Sequence, residues 1–583
     1  MGKYISPGSN SKVGTSSEGS SSKQEEGAAS RKARLADPFH PKVGIYRNLP
    51  RHVVDEPPYH HVADGLLSVN TSAPVDRHPI YQLIKQARDE WDGKKKRQSK
   101  TLKEAVAEYK RRNGGLMPPK GFDKWWEFVV LNEVQLPDEY DQINKDLYLY
   151  RALSPGELNR RLDTASESED TFTISIKHHN VRTRSTYDGE AIGGADERLE
   201  AQIELLMDYG MESWLSDMRV VYGIHDGPTG FIGYDHRSDL ETLVQDDEYY
   251  RTVEELDTTV RGWEAACPYG SPARRLTPSN RGAAGLALGK TFVQDPSVSQ
   301  FDICNHPEYM DLHGALNGRR PHVQQTLLPT FSLSKTALHT DVLGVPMEQW
   351  METLPTIPWE RRTQDKLLWR GSNTGAYYSD EIDWRKTHRV RLVELASGGD
   401  EMVDVIPPPR WGKGDDDDDQ ERDGEEEEED DDPMMCNRST YGRRIECEES
   451  DGTCAQLALE YVWSTQKMTH EEALEYKYVV DVDGNTWSSR FQRLLLGGSV
   501  VFKSTIMPEW WNQRAQPWVH YVPVGLGYGD LVDALVFVSS ESICFRGGVD
   551  GKGGEDELAR QIAEEGREWT ETHWRKVDMA AYM

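Results

Sequence analysis

The segment YKYVVDVDGNTWSSRFQRLLLGGSVVFKST, Tyr476 to Thr505, carries the strongest structural signal in the chain. Its apolar runs, turn residues and glycine pair predict four consecutive elements: a strand at 478–482, a turn at 483–485, a helix at 487–496 and a second strand at 499–502. A strand–helix–strand unit of this length requires parallel pairing of the two strands. The segment therefore predicts an α/β fold.

Similar elements occur on the N-terminal side of this segment. Short apolar runs predict three further strands, at Thr171–Ile176, Arg219–Ile224 and Lys366–Trp369. Helical spacing of apolar residues predicts helices within His78–Arg112 and at Leu199–Met207. With 583 residues, 37% of them hydrophobic, the chain is long enough to build two sizeable cores.

The chain is strongly acidic, with 68 Lys and Arg against 99 Asp and Glu, which gives a formal net charge of −31. A charge of this sign repels nucleic acid and anionic membrane surfaces, so no nucleic-acid partner is expected. The tract Asp415–Asp432 holds fifteen acids and one arginine. Runs of like charge are typically solvated, and the tract lacks the ligand spacing of a calcium loop.

The six cysteines form no CxxC pair, which argues against a zinc site, and their even number is compatible with disulfides. No run of about 18 apolar residues predicts a membrane span. The N-terminal residues also lack the apolar core of a signal peptide. Membrane association is therefore expected only through an anchor that this sequence does not contain.

Polar residues follow three of the predicted strands, and ligands of open parallel sheets bind at the carboxyl ends of strands. These residues are His225–Pro228, Arg370–Gly375 and Asp483–Arg490. The third group offers backbone N–H groups, small serines and Arg490, a combination that suits phosphate. Capping of the helix by Thr486 or Ser488, with Arg490 on a solvated face, explains the same residues equally well.

Three residue types here suit catalysis, and each also has an ordinary structural explanation. Arg370 could neutralise a leaving diphosphate, or it could be a surface arginine. Asp226 could act as a general base, or it could simply serve the turn before Gly227-Pro228. Asp481 and Asp483 have the D-x-D spacing that some sugar transferases use for a metal, but strand alternation produces the same spacing by chance.

Several motifs together resemble one known family, the capsule-associated glycosyltransferases of fungi (glycosyltransferase family 90), whose animal relatives are the Rumi-like protein O-glucosyltransferases. The resemblance extends over about residues 60 to 575. The motifs are Tyr476–Thr505, PWVHYVPV at Pro517–Val524, LLWRGSNTG at Leu367–Gly375, FSLSKT at Phe331–Thr336, CPYGSPAR at Cys267–Arg274 and PEYMDLHG at Pro307–Gly314.

This resemblance implies a GT-B-like architecture, in which two Rossmann-like domains face a cleft and an N-terminal helical extension precedes them. It implies inverting transfer of a sugar, xylose or glucose, from a UDP-sugar to a glycan, glycolipid or protein hydroxyl. No metal site and no cofactor are expected. It also implies the secretory pathway, in the Golgi or ER lumen or membrane.

The family motifs assign roles to individual residues. Asp226 matches the catalytic base, and Ser334 and Lys335 are expected to line the cleft. The residues expected to bind the nucleotide-sugar are Arg370, Gly371, Ser372, Arg389, Arg391, Asn485, Thr486, Trp487, Ser488, Ser489 and Arg490. The alternative function is a non-catalytic member that binds sugar or a partner, against which the joint presence of Asp226, Arg370 and Arg490 argues.

The expected domain organisation follows from these assignments. It comprises a disordered leader (1–60), a helical extension (61–165), a Rossmann-like domain with the base (166–345), a nucleotide-sugar domain (346–545) with an acidic insertion at about 400–455, and a C-terminal helix (546–583).

Overall fold

The computed structural model describes residues 48–187, 194–250, 261–276, 290–318, 321–397, 405–406, 447–461, 468–539 and 554–583. Most of the expected leader, the acidic tract Asp415–Asp432, Cys436 and Cys544 lie outside these described residues.

The described strands form three sheets. They are β1 His61–Ala63, β2 Leu66–Ser68, β3 Thr171–Lys177, β4 Asn180–Ser185, β5 Met218–Gly223, β6 Thr291–Val293, β7 Phe331–Ser332, β8 Val342–Leu343, β9 Gln364–Leu368, β10 Tyr476–Val482, β11 Val500–Ser504 and β12 Val522–Pro523. The sheet orders are β1-β2-β6, β4-β3-β5-β7-β8 and β12-β11-β10-β9.

The described helices surround these sheets. They are α1 Arg51–Asp55, α2 Pro79–Arg97, α3 Leu102–Arg112, α4 Phe122–Leu131, α5 Asp141–Leu147, α6 Pro155–Glu167, α7 Ala195–Asp208, α8 Tyr234–Gln245, α9 Pro272–Arg275, α10 Pro296–Ser299, α11 Tyr309–Leu312, α12 Gly314–Asn317, α13 His388–Ser397, α14 Thr453–Glu460, α15 His470–Leu474, α16 Phe491–Gly497, α17 Leu531–Val538, α18 Asp556–His573 and α19 Lys576–Tyr582. The prediction of an α/β fold is confirmed.

The four-stranded sheet is parallel throughout, as the segment 476–505 predicts. Val479 of β10 lies beside Val501 of β11 and Leu368 of β9. The apolar run of β10 is buried on both faces, which is typical of a central parallel strand. The helix between β10 and β11 begins at Phe491 and not at the expected Trp487. In the turn before it, the Ser488 hydroxyl donates a hydrogen bond to the carboxylate of Asp481.

The five-stranded sheet is mixed. Strand β3 pairs antiparallel with both β4 and β5, whereas β5, β7 and β8 pair in parallel. The predicted strands Thr171–Ile176 and Arg219–Ile224 correspond to β3 and β5. This mixed sheet differs from a Rossmann-like sheet, which is mainly parallel. The arrangement of two Rossmann-like domains therefore stays a prediction.

The secondary structure of the N-terminal region differs from the expected organisation in two places. Helix α1 lies within the expected leader, and the expected helical extension contains the hairpin β1–β2. The hairpin turns at Asp64-Gly65, both with positive φ, and Asp-Gly between apolar residues is a strong hairpin signal. The sequence therefore contains a local signal for this hairpin.

The chain termini of the described structure pack together. Trp126 and Phe128 of α4 share one core with Trp510, Trp569 and Trp574. The Trp125 indole also donates a hydrogen bond of 2.9 Å to the carbonyl of Ala581. The N-terminal helix α4 therefore packs against the C-terminal helices α18 and α19.

Two disulfides link described cysteines, Cys267 to Cys304 and Cys447 to Cys454. Among the helices of the described ranges, none has both the length and the apolar character needed to cross a membrane.

Candidate active site

The turn after β5 presents the carboxylate of Asp226, whose side chain is 50% exposed. A buried carboxylate holds this turn in place. Asp341 accepts hydrogen bonds from the backbone N–H groups of Thr229, at 2.9 Å, and Gly230, at 2.7 Å. Burial raises the pKa of Asp341, which these N–H groups oppose by favouring the charged form. A side chain at position 230 would collide with Asp341, so glycine is required there.

The turn after β10 meets the Asp226 turn directly. The Thr486 hydroxyl donates a hydrogen bond of 2.6 Å to the backbone carbonyl of Asp226. The amide nitrogen of Asn485 lies 3.4 Å from Oδ2 of Asp226. The other end of the Asn485 amide accepts a hydrogen bond of 3.1 Å from the backbone of Gly375. The ends of β5, β9 and β10, predicted to carry the chemistry, therefore lie together.

Arg389 ties the turns after β9 and β10 to each other. Its Nη1 donates to the carbonyl of Ser372 and to the hydroxyl of Thr374, both at 2.6 Å. Its Nε donates to the carbonyl of Asp483 at 2.8 Å. The side chain is fully buried, and burial lowers the pKa of Arg389 to about 10, with nearby Arg490 adding to the effect. Arg389 thus positions the two turns through backbone carbonyls.

Two stacked histidines, which sequence reasoning missed, support the same turn. The rings of His313 and His388 lie 4.2 Å apart between centroids. Nε2 of His313 lies 3.1 Å from Oδ2 of Asp483, and Nε2 of His388 lies 2.9 Å from its carbonyl. Burial lowers the pKa of His388 well below its usual range, so this ring is neutral. His313 stands inside the quoted motif Pro307–Gly314 and His388 directly precedes Arg389, but no spacing rule distinguishes either histidine.

The D-x-D pair points into the protein. Asp481 and Asp483 are both fully buried. Nζ of Lys503 lies 2.8 Å from Oδ2 of Asp481, and Arg490 lies 3.2 Å from Oδ1. Although burial opposes it, these two cations lower the pKa of Asp481. Oδ2 of Asp483 accepts from the backbone N–H of Ile506 at 3.0 Å. Both carboxylates are therefore engaged by neighbouring groups of the protein.

The remaining predicted nucleotide-binding residues fall into two groups. Arg490 donates to the carbonyl of Val482 at 2.6 Å while it pairs with Asp481, and it lies in the turn after β10 with buried Trp487 and exposed Ser489. Arg370 and Gly371 follow β9, and Gly371 lies against the ring of Trp369. These residues therefore lie at the ends of β9 and β10, which is compatible with one shared binding site there.

Arg391 has a different environment from Arg389. It donates to the carbonyls of Lys386, at 2.7 Å, and Leu526, at 2.7 Å, and its guanidinium faces the ring of Tyr528. None of these partners belongs to the three turns. Its role in binding the donor therefore stays a prediction that its contacts do not favour.

The two residues expected to line the cleft lie behind the Asp226 turn. Nζ of Lys335 contacts Oδ1 of Asp146 at 2.5 Å and donates to the carbonyl of Asp341 at 2.7 Å. Ser334 is fully buried. Lys335 lines a separate cavity of about 670 Å³. Its contact with Asp341 makes Lys335 an indirect support of the turn.

A pocket of about 480 Å³ opens next to the Asp226 turn, where Pro228 and Thr229 line it. Its walls come from the Asp226 turn, from the turn after β10 and from an aromatic cluster: Pro228, Thr229, Phe231, Trp263, Ala315, Leu316, Pro321, His322, Gln324, Thr336, His339, Thr486 and Met507. A largely apolar pocket with a few convergent polar groups is typical of a small-ligand site.

Part of the chain matches a known protein family. Residues 425–583 match the family model described as Glycosyl transferase family 90. The predicted resemblance to glycosyltransferase family 90 is thereby confirmed. The matched part includes β10, α16 and β11, with the turn Asn485–Arg490, whereas Asp226 lies outside it.

Curated relatives match over short stretches. Protein O-glucosyltransferase 2 of Danio rerio is 34% identical over 100 residues, which are 17% of this chain and 17% of that protein. Protein O-glucosyltransferase 1 of Homo sapiens is 31% identical over 111 residues, 18% of this chain and 24% of that protein. The O-glucosyltransferase rumi homolog of Aedes aegypti is 32% identical over 120 residues, which are 20% of this chain and 26% of that protein. The chain spans about a quarter or less of these relatives.

Proposed function

We propose that this protein is an inverting glycosyltransferase that transfers a sugar, xylose or glucose, from a UDP-sugar to a hydroxyl of a glycan, glycolipid or protein. One observation carries the proposal. Asp226 stands at the end of one sheet, where its half-exposed carboxylate lies 3.4 Å from the Asn485 amide and its backbone carbonyl accepts from Thr486, both at the end of the other sheet. A base and a candidate phosphate-binding turn therefore face one another.

The reaction requires a proton acceptor and a stabilised leaving group. In our proposal, Asp226 takes the proton of the acceptor hydroxyl as its oxygen forms a bond to the anomeric carbon. The bond between that carbon and the diphosphate oxygen breaks, and UDP leaves from the opposite face. Attack opposite the leaving group inverts the configuration at the anomeric carbon.

The turns after β9 and β10 supply the groups suited to the diphosphate. Arg370 and Arg490 add positive charge at these strand ends, where ligands of parallel sheets bind. Charge that is preorganised around a leaving group accelerates its departure. Arg389 supports this role by holding the two turns in register.

The pocket beside Asp226 suits the sugar-binding side of the reaction. Its aromatic walls, Phe231, Trp263 and His339, offer faces and edges against which sugar rings pack. The two disulfides favour an oxidising compartment, which agrees with a place in the secretory pathway. A GT-B-like arrangement of the two sheets around the cleft, and transfer without a metal, complete the proposal.

The variant Asp226→Asn tests the proposal, with Asp163→Asn as the matched control. Asp163 is an exposed carboxylate that pairs with Arg219 on the same half of the protein. We expect Asp226→Asn to lower transfer by about 10²- to 10⁴-fold while UDP binding, measured by calorimetry, is retained. We expect the control to transfer sugar at the wild-type rate.

Two results would contradict the proposal. Equal rates of transfer by wild type and Asp226→Asn would show that Asp226 is not the base. Folded wild-type protein that releases no UDP from any UDP-sugar, with or without acceptors, would favour a non-catalytic binding protein. The same donor screen would identify the sugar, because donor discrimination rests on pocket contacts of about 1–3 kcal/mol each.

A further inference from the structure

The first turn of helix α7 carries Arg198, a buried arginine with contacts in three directions. Its Nη1 donates to the carbonyl of Ile224 at 2.5 Å, and its Nη2 lies 3.2 Å from Oδ1 of Asp226. Its Nε donates to Oε1 of Glu348 at 2.8 Å. One planar group thus contacts both the backbone of Ile224, directly after β5, and the carboxylate of Asp226.

This geometry fixes the orientation of the Asp226 carboxylate. Because the guanidinium is rigid and planar, the contact to the Ile224 carbonyl sets the direction of the contact to Asp226. A lysine, with a single ammonium group, could not reproduce this fork. The carboxylate oxygens consequently differ: Oδ1 faces Arg198 at 3.2 Å, whereas among the described residues Oδ2 has only the long contact of 3.4 Å to Asn485.

Arg198 is itself held from the opposite side. The side chain of Glu348 is only 10% exposed and compensates the buried charge of the guanidinium. Gln202, one turn further along α7, donates a hydrogen bond of 2.7 Å to the carbonyl of Val345. The helix is therefore anchored at two points to the segment that follows β8.

We propose that Arg198 is the positioning residue for Asp226 and leaves Oδ2 as the oxygen that takes the acceptor proton. This inference rests on the proposed function, since it assumes that Asp226 is the base. In the transfer step, the acceptor O–H bond breaks, the proton goes to Oδ2, and the acceptor oxygen bonds to the anomeric carbon as UDP leaves. Arg198 contacts neither substrate.

A second buried arginine provides a matched control. Nε of Arg161 contacts Oε1 of Glu157 at 2.7 Å, and its Nη1 donates to the carbonyl of Leu327 at 3.1 Å. Its side chain is 1% exposed, against 8% for Arg198. Arg161 thus has the same kind of partners in the same half of the protein but no contact with Asp226.

The experiment compares steady-state kinetics of Arg198→Ala, Arg198→Lys and Arg161→Ala. We expect Arg198→Ala to lower kcat by about 10- to 100-fold with the KM for the UDP-sugar unchanged, because a misplaced reacting group costs about that much. Added guanidinium ion should restore part of this kcat. Arg161→Ala should keep the wild-type kcat per folded molecule and show no response to guanidinium.

The outcomes separate this inference from the proposed function. If Asp226→Asn is inactive while folded Arg198→Ala turns over like wild type, the positioning role is wrong and the base stands. If Asp226→Asn transfers sugar normally, the proposed function itself fails. Should Arg198→Ala not fold, Arg198→Lys decides: it keeps the charge and most of the volume, and a wild-type kcat in this variant would overturn the inference.

Discussion

Thr486 and Asp226, separated by 260 residues in the chain, are joined by a hydrogen bond of 2.6 Å from the threonine hydroxyl to the aspartate backbone carbonyl. Thr486 belongs to the turn after β10, and Asp226 to the turn after β5. The bond therefore links the candidate nucleotide-binding turn to the candidate base. The donor Thr486 is buried, whereas Asp226 is exposed.

The first prediction concerns this bond. We expect Thr486→Val to lower kcat about tenfold while Thr486→Ser keeps it, because only the serine retains the hydroxyl. Loss of stability should be small, about 0.5–1.5 kcal/mol. Thr570→Val is the control, since the buried Thr570 hydroxyl also donates to a carbonyl, that of Gly566, far along the chain in α18. A normal kcat for Thr486→Val would show that the bond is irrelevant to turnover.

The second prediction concerns divalent metal ions. We expect EDTA to leave the turnover of UDP-sugar unchanged and manganese to add nothing. The physical reason is that Asp481 is engaged by Lys503 and Arg490, and Asp483 by His313 and the backbone of Ile506. A metal would have to displace these buried partners. Activity that disappears with EDTA and returns with manganese would contradict this prediction.

The third prediction concerns pH and the buried Glu509. Burial raises the pKa of Glu509 from its ordinary 4.5 to about 8, against the opposing effect of Lys503. Between these two values the folded protein holds one more proton than the unfolded chain. The contribution of Glu509 to the free energy of unfolding is therefore complete below pH 4.5 and decreases as pH rises, by at most about 1.4 kcal/mol per pH unit, until about pH 8.

Denaturant unfolding between pH 5 and 9 measures this effect. The variant Glu509→Gln should show a flatter decline of unfolding free energy than wild type, because glutamine does not titrate. The exposed Glu564→Gln serves as control and should follow the wild-type profile. Parallel profiles for wild type and Glu509→Gln would show that Glu509 does not titrate in this range.

The fourth prediction concerns the two disulfides, which close loops of different length. Cys267 and Cys304 are 37 residues apart, and Cys447 and Cys454 are 7 residues apart. Chain entropy then predicts losses of about 4 kcal/mol for the double alanine variant of the first pair and about 2 kcal/mol for the second. Thermal unfolding of both variants measures the difference. A larger loss for the short loop would contradict the entropic argument.

Some features of the site were predictable because they are local. The strand ends at Asp226, Arg370 and Asn485 follow from apolar runs that stop at polar turn residues, and the parallel pairing of β9 and β10 brings the last two to one edge. The choice between a phosphate site and simple capping at Ser488 was not local. It depended on where the Ser488 hydroxyl points, and that hydroxyl donates to Asp481 while it accepts from the backbone N–H of Arg490 at 3.4 Å.

Other features had no local signal. Arg389 and Arg391 stand two residues apart in the same stretch of sequence, yet Arg389 joins the two turns and Arg391 contacts Leu526 and Tyr528. Alternating positions on a helix face different neighbours, and only the packed structure defines those neighbours. The buried environment of Asp481 and Asp483 was hidden from the sequence for the same reason.

The sequence by itself determined the α/β class, the parallel unit at 476–505 and the polar strand ends, since periodicity and turn chemistry act over a few residues. Only the tertiary structure decided that Asp226 meets Asn485 and Thr486, and that Arg198 orients its carboxylate. These contacts join residues far apart in the chain. Their geometry depends on how two sheets and their helices pack, and no short sequence pattern encodes that packing.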